Sequence, residues 1–199
     1  MNLKNNMKEN VLITGTSRGL GIFLKNKFSD EGHHVLCHNG KKDFDISNIE
    51  HIEKLAALAI ENNVTVLVNN AAIGCPNITF EKYNLKQIND MIDVNLRAPI
   101  LLSYLLIDQL NAIININSMV GLEVKNPRTI YSATKWGLRG FSNSLKQENE
   151  LLNVLDVYPT NIKTTLDRIN AMDPTMVAQK IYESYCNKEQ KLILDGRPK

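Results

Sequence analysis

The feature that most constrains this chain is the alternation of short apolar runs with helix-period segments along nearly its whole length. Val11-Leu12-Ile13 followed by Thr14-Gly15 reads as a buried strand ending in a turn. Leu20, Phe23, Leu24 and Phe28 then recur at near-helical spacing, and Asp30-Glu31-Gly32 closes that helix. His34-Val35-Leu36-Cys37 is a second strand, with His38-Asn39-Gly40 as its turn. Asp45-Ile46-Ser47 leads into a helix over 49–61, and a strand over 64–68 ends at Asn69-Asn70-Ala71-Ala72. Two helices (85–95 and 98–110), a strand (112–118) and a long helix (130–150) follow. The pattern closes with a strand over 152–158 stopped by Pro159, a helix over 174–187 opening on Pro174, and a strand over 191–196. Strands and helices in strict succession predict an α/β fold of three layers, a doubly wound, mostly parallel sheet with helices on both faces. The 199 residues hold no internal repeat or low-complexity linker, which predicts one domain, with residues 1–9 a loosely held start.

Composition removes several classes of function. A formal net charge of +2 gives no global basic surface, so neither nucleic acid nor a membrane is an expected partner. Cys37, Cys75 and Cys186 are odd in number and far apart, which argues against a disulfide framework and against a metal site. The basic, polar start leads into one short apolar run and lacks the pattern of a signal peptide, and the other apolar runs are strand-length. The expectation is a reduced, cytoplasmic protein.

The segment Thr14-Gly15-Thr16-Ser17-Arg18-Gly19-Leu20-Gly21 joins the first strand to the first helix. Glycine there permits close backbone approach, and the helix start offers free N–H groups to a phosphate. The spacing Gly-x-x-x-Gly-x-Gly differs from the tighter Rossmann fingerprint, and a glycine-rich strand-to-helix turn also occurs without a ligand. The end of the second strand bears on cofactor choice. An NAD site usually places a carboxylate there for the ribose hydroxyls. Here it is Cys37-His38-Asn39-Gly40, with Lys41 and Lys42 beyond and no carboxylate before Asp43. With Arg18 in the turn, an extra phosphate meets positive charge, so NADP(H) is favoured and NAD(H) remains open.

Taken in order, Thr14-Gly15-x-x-x-Gly19-x-Gly21, Asp45, Asn69-Asn70-Ala71-Ala72, Asn95, Ser118, Tyr131-x-x-x-Lys135 and Pro159 with Thr164 resemble the short-chain dehydrogenase/reductase family in its classical small form. The resemblance runs from Val11 to Gly196 and implies a Rossmann-like oxidoreductase. It casts Tyr131 as the general acid in carbonyl reduction and Lys135 as the partner that lowers the tyrosine pKa and holds the nicotinamide ribose. By the same resemblance Ser118 polarises the carbonyl, and Asn95 shapes its helix and holds a water of the proton relay. Asp45 and Ile46 would contact the adenine side, and Asn69, Ala71 and Ala72 would line the cofactor groove. Gly15, Thr16, Ser17, Arg18, Gly19, Leu20 and Gly21 would form the phosphate turn, with His38 and Asn39 at the end of the second strand. Pro159, Thr160, Ile162 and Thr164 would face the nicotinamide. The residues support part of this independently. Tyr131 and Lys135 share one face of a helix, and a nearby ammonium lowers a phenol's pKa toward the working range. Ser118 ends a strand at the sheet edge where a crevice is expected; a serine there is also an ordinary cap.

The chain departs from the family in several places. Ala72 stands where glycine is usual and is expected to crowd a turn, and Thr160 follows Pro159 in place of glycine. The chain is trimmed after the second strand and after Thr164, where only Thr165 to Asp173 remain for the segment that forms the family's lid. The segment Gly121 to Arg128 would then supply much of the pocket, with Lys125 and Arg128 either meeting an anionic substrate or standing as plain surface charges. Cys75 reads as packing. The resulting expectation is NADP-dependent reduction of a small-molecule carbonyl, or oxidation of a secondary alcohol, by a homodimer or homotetramer assembled through the helices over 98–110 and 130–150. An NAD-dependent enzyme of the same fold and a non-catalytic dinucleotide-binding regulator are the alternatives.

Overall fold

The computed structural model describes residues 8–164 and 171–197. Six strands form one sheet: β1 (Asn10–Thr14), β2 (His34–His38), β3 (Val66–Asn69), β4 (Ala112–Ile116), β5 (Asn153–Pro159) and β6 (Lys191–Leu194). Their order is β2-β1-β3-β4-β5-β6, and every pairing is parallel. The helices are α1 (Leu20–Asp30), α2 (Ile49–Glu61), α3 (Leu85–Ile92), α4 (Ala98–Leu106), α5 (Thr129–Glu148) and α6 (Pro174–Cys186). The sheet is doubly wound, as the alternation predicts. Strand order reverses between β1 and β3, and that reversal opens a crevice at their C-terminal ends.

Side-chain alternation sorts the core into two layers. Val11, Ile13, Val66, Val68, Ile114, Ile116, Leu155 and Val157 face α1 and α6, packing on Leu24, Phe28, Val177 and Ile181. Leu12, Leu67, Ile113 and Val154 face α2 and α4, packing on Ile52, Leu55, Ala98 and Leu102. Side chains cap several helices. Asn48 accepts from Glu50 N at the start of α2, Asn84 and Gln87 form a reciprocal box at α3, and Asp173 accepts from Met176 N at α6. Each cap is worth about 1 kcal/mol.

The structure moves some sequence-derived boundaries. Glu9 is tied down, its N–H donating to His33 Nδ1 at 3.1 Å and its carbonyl accepting from His34 N at 3.0 Å, so the loosely held start does not extend to it. Pro159 completes β5, opposite Leu194, instead of stopping it. The helices expected over 85–95 and 98–110 are one helical run, joined by a π-helical turn at Asp93–Arg97. Pro99 has no N–H to give the carbonyl of Asn95, which favours a widened turn there.

Candidate active site

The turn between β1 and α1 is held open by backbone geometry. Gly15 and Gly19 have φ of 74° and 62°, conformations that favour glycine. A Cβ on Gly21 would lie 2.0 Å from the Gly15 carbonyl oxygen, and one on Gly15 would lie 2.9 Å from Ala71 Cα. Gly19 occupies the N-cap of α1 and supplies no side-chain cap, unlike the capped α2, α3 and α6. Ser17 and Arg18 are exposed on the turn, while Thr16 and Leu20 are buried beneath it. Thr164 lies across from the turn, with its methyl 3.4 Å from where a Gly19 Cβ would stand.

His38 is only 1% exposed, and its ring is used inside the fold. Nδ1 accepts from Gly15 N at 3.3 Å and Nε2 donates to Phe44 O at 2.8 Å, so the ring braces the turn and is not presented to a ligand. Asn39 Oδ1 accepts from Thr16 Oγ1 at 3.0 Å. A short helical turn over Gly40–Lys42 carries Asp43 back to the strand end, where its Oδ2 accepts from Asn39 N at 2.7 Å and Asn39 Nδ2 at 3.0 Å. The spacing in sequence sets Asp43 beyond this position; the fold returns its charge to it. Asp45 accepts from Ser47 N and Oγ and pairs with Lys41 Nζ at 2.7 Å. Desolvation pushes its carboxyl up, but the Lys41 and Ser47 hydrogen bonds prevail and hold it down at about 2. The Ile46 side chain is buried in the core.

Four candidate side chains gather at the C-terminal ends of β3 and β4. Asn95 lies in the π turn, 1% exposed, where its Oδ1 accepts from Ile73 N at 2.7 Å and its Nδ2 donates to Ile73 O at 2.9 Å. Ser118 follows β4, and its Oγ accepts from Val120 N at 3.3 Å; the hydroxyl is therefore a cap, and its proton is not used in that contact. Tyr131 is half-buried in the first turn of α5. Lys135 is one turn further on, 3% exposed, with Nζ donating to Ile116 O at 2.9 Å and lying 5.7 Å from the Tyr131 ring centre. Desolvation by burial pulls the Lys135 ammonium down to about 8, against the opposing field of Asp156.

The remaining candidates line the crevice or close its rim. Asn69 is 4% exposed, and its Oδ1 has no partner among the described residues. Ala71 N donates to Thr14 Oγ1 at 3.0 Å. Ala72 is exposed and is not among the positive-φ residues, so its methyl does not crowd the turn as the sequence suggests. Thr160 bonds the end of β6 through its N–H to Leu194 O at 2.9 Å and accepts from Gly196 N at 2.9 Å. Ile162 is buried and bridges Met172, so the two ends of the shortened segment meet. Of the lid expectation, residues 165–170 lie outside the described residues.

A cavity of about 560 Å³ is lined by Val124, Lys125, Asn126, Arg128, Ser132 and Trp136, among others. Its α5 residues stand beside Tyr131 and Lys135 in sequence, but neither of those two side chains lines it. Cys75 Sγ contacts Pro127 O at 3.6 Å, a packing role. Among the described residues no cluster could hold a metal ion, and no helix is long and apolar enough to cross a membrane. Sequence reasoning passed over Asn115, Asn117 and Asp156, all buried beneath α5. Their signal was present in the alternation Ile113-Ile114-Asn115-Ile116-Asn117, which places amides where one sheet face should be apolar.

The uncapped α1 start, the cradle that a Cβ would fill at Gly15 and Gly21, and the orphaned amide atoms Asn69 Oδ1 and Asn117 Nδ2 together fit a nicotinamide dinucleotide lying across the crevice. Comparison with known proteins agrees. The family described as short chain dehydrogenase matches residues 41–174. The chain belongs to that family and is an oxidoreductase. The ketoacyl reductase HetN of Nostoc sp. is 28% identical, over 94% of this chain and 79% of that protein. A short-chain dehydrogenase from Streptomyces avermitilis superposes with a TM-score of 0.87 at 22% identity, covering 96% of this chain and 89% of that one. A short-chain dehydrogenase from Sphingobium yanoikuyae, solved in complex with NADPH, gives 0.81 at 20% identity, covering 93% and 87%.

Proposed function

We propose that the chain reduces a ketone of a small molecule, or oxidises the matching secondary alcohol, with NADP(H) as hydride carrier. When bound, the dinucleotide supplies or takes up the hydride. Tyr131 gives its phenolic proton to the alkoxide oxygen as the carbonyl is reduced, and takes it back in the reverse direction. Lys135, held as an ammonium beside it, lowers the phenol's pKa and bonds the nicotinamide ribose. Ser118 donates its remaining proton to the substrate oxygen and stabilises charge there. Asn95 fixes the loop at Ile73 and lends its widened turn to the proton path. The observation that carries this reading is Lys135: a fully buried amine, bonded to one backbone carbonyl, one helical turn from a tyrosine. Fold stability alone gives no reason to bury an amine there.

NADP(H) is favoured by Arg18 on the phosphate turn and by Lys41 and Lys42 beyond β2. NADPH in the Sphingobium neighbour points the same way. Asp43, folded back onto Asn39, supports the second reading, NAD(H), because a carboxylate there accepts from ribose hydroxyls and repels a 2′-phosphate. The relative named a ketoacyl reductase supports a ketone substrate. Exposed Tyr104, Leu105 and Trp136 on α4 and α5 support assembly as a homodimer or homotetramer, and the free Cys37, Cys75 and Cys186 support a reduced, cytoplasmic setting.

The test is a screen of ketones and 3-ketoacyl thioesters with NADPH and NADH, followed by nicotinamide absorbance, repeated with Tyr131→Phe. The variant is expected to lose at least about 100-fold in turnover while binding the dinucleotide as the parent does. Undiminished turnover in Tyr131→Phe would sink the assignment. Dinucleotide binding without turnover on any substrate would favour a regulator.

A further inference from the structure

Beneath α5 the sheet face turns polar, and its hydrogen bonds all run one way. Asn69, Asn115 and Asp156 are register partners across β3, β4 and β5. Asn69 Nδ2 donates to Asn115 Oδ1 at 2.8 Å, and Asn115 Nδ2 donates to Ser142 Oγ at 2.9 Å. Ser142 Oγ lies 2.8 Å from Asp156 Oδ1 and 3.0 Å from Leu138 O. Its single proton binds the ionised oxygen more strongly than the carbonyl. Tyr158 OH donates to Asp156 Oδ2 at 3.2 Å, and Lys146 Nζ stands 3.5 Å from the same oxygen. A row of donors converging on one side chain needs an acceptor at its end, and an ionised carboxylate is acceptor only. Asp156 is 1% exposed, and Lys135, Leu138 and Ser142 form the buried stripe of α5 that lies over this row.

We infer that Asp156 is a positioning residue of this site, the buried counter-charge that keeps Lys135 an ammonium and holds α5, through Ser142, in place over the sheet. The inference rests on the reading of Tyr131 and Lys135 as the proton-transfer pair. Lys135 Nζ donates to the Ile116 carbonyl, and burial drives its proton off; the field of Asp156 pushes the other way. Burial leaves the Asp156 carboxyl above its ordinary value, while Lys146, Ser142 and Tyr158 oppose that rise and favour the ionised form. The charged and titratable groups around the pair are Tyr131 and Lys146 from α5, Tyr158 from β5, and Lys191 of β6, whose Nζ lies 5.7 Å from the Tyr158 ring centre. Arg139 of α5 acts on Tyr158 by its field. Without the Asp156 charge, Lys135 gives up its proton at lower pH and ceases to assist Tyr131 there.

The experiment compares the parent with Asp156→Asn, whose amide oxygen still accepts from Ser142. Lysine labelled with ¹⁵N is titrated by NMR, with the Lys135 resonance assigned by Lys135→Met, and the pH dependence of NADPH affinity is followed by fluorescence. The expected result is a rise of about threefold or more in the Lys135 acid dissociation constant, with the alkaline loss of NADPH affinity moving down in pH to match. A merely structural role would lower the melting temperature and leave that constant unchanged, and an unchanged or smaller constant overturns the inference. Should Asp156→Asn fail to fold, Ser142→Ala decides, with a smaller change in the same direction expected. The two readings fail separately. Undiminished turnover in Tyr131→Phe removes the proton-transfer assignment, whereas an unmoved Lys135 beside an inactive Tyr131→Phe removes only the role of Asp156.

Discussion

The two faces of the sheet are built differently. The face toward α1 and α6 is apolar along its length, from Val11, Val66 and Ala112 at one end to Ile116 and Val157 at the other. The face toward α2, α4 and α5 begins in the same way, with Leu12, Leu67, Ile113 and Val154. Two residues further along each strand it becomes Thr14, Asn69, Asn115 and Asp156, and then Asn117 and Tyr158. Buried polar groups cost free energy unless bonded, so such a layer adds less to stability than the aliphatic one it displaces. It lies beneath the helix that carries Tyr131 and Lys135. One face holds the fold together; the C-terminal half of the other underlies the candidate site.

The comparison is open to attack at each layer. On the apolar face Phe28 is fully buried, edge-on to Tyr182 at 5.2 Å between ring centres. Phe28→Ala is expected to lower stability by about 3–5 kcal/mol in denaturant unfolding, with the pH dependence of NADPH binding unaltered. If that dependence moves, the faces are not independent. Lys135→Met on the polar face is expected to act in the opposite direction. The amine's pKa falls from an ordinary 10.5 to about 8 in the folded chain. Below about pH 8 it is charged in both states, and the full desolvation penalty is present. Between about 8 and 10.5 the unfolded chain holds the proton that the folded one has released, so stability rises with pH. Because Lys146 Nζ, 3.5 Å from Asp156, remains as its counter-charge, Lys135→Met should gain up to about 3 kcal/mol at neutral pH, lose that pH-dependent rise, and lose turnover. A destabilised variant at neutral pH would show that the ammonium is better satisfied than its surroundings imply. Asn115→Ala leaves Asn69 Nδ2 without its acceptor and should cost about 1–3 kcal/mol by the same unfolding measurement. A cost near zero would mean that the row is not cooperative.

Much of the fold was legible because period-two and near-helical apolar spacing report directly on which side chains are buried. All six strands were readable, within shifts of a residue or two at their ends. The π turn was not, because Asp93-Val94-Asn95-Leu96-Arg97 has ordinary helical composition and its only mark is Pro99. The candidate site was legible where it depends on local chemistry, as in the glycines of the first turn and the Tyr131–Lys135 spacing. It was hidden where distant segments meet. His38 reads as a strand-end contact, yet its ring is consumed by Gly15 and Phe44. Asp43 lies past the strand in sequence, yet one helical turn sets it back upon Asn39. Asp156 precedes Val157-Tyr158-Pro159 in a strand that is largely apolar after Asn153, and only the register with Asn115 and the reach of Ser142 show what it serves.

The central claim is that the crevice above the glycine turn binds a nicotinamide dinucleotide. A fluorescence titration of the purified chain with NADPH and with NADH, at matched ionic strength and alongside Gly21→Ala, tests it most directly. The account predicts saturable binding, tighter for NADPH than for NADH, and its loss in Gly21→Ala, where a Cβ would lie 2.0 Å from the Gly15 carbonyl oxygen. Binding of neither dinucleotide by the parent chain would contradict it.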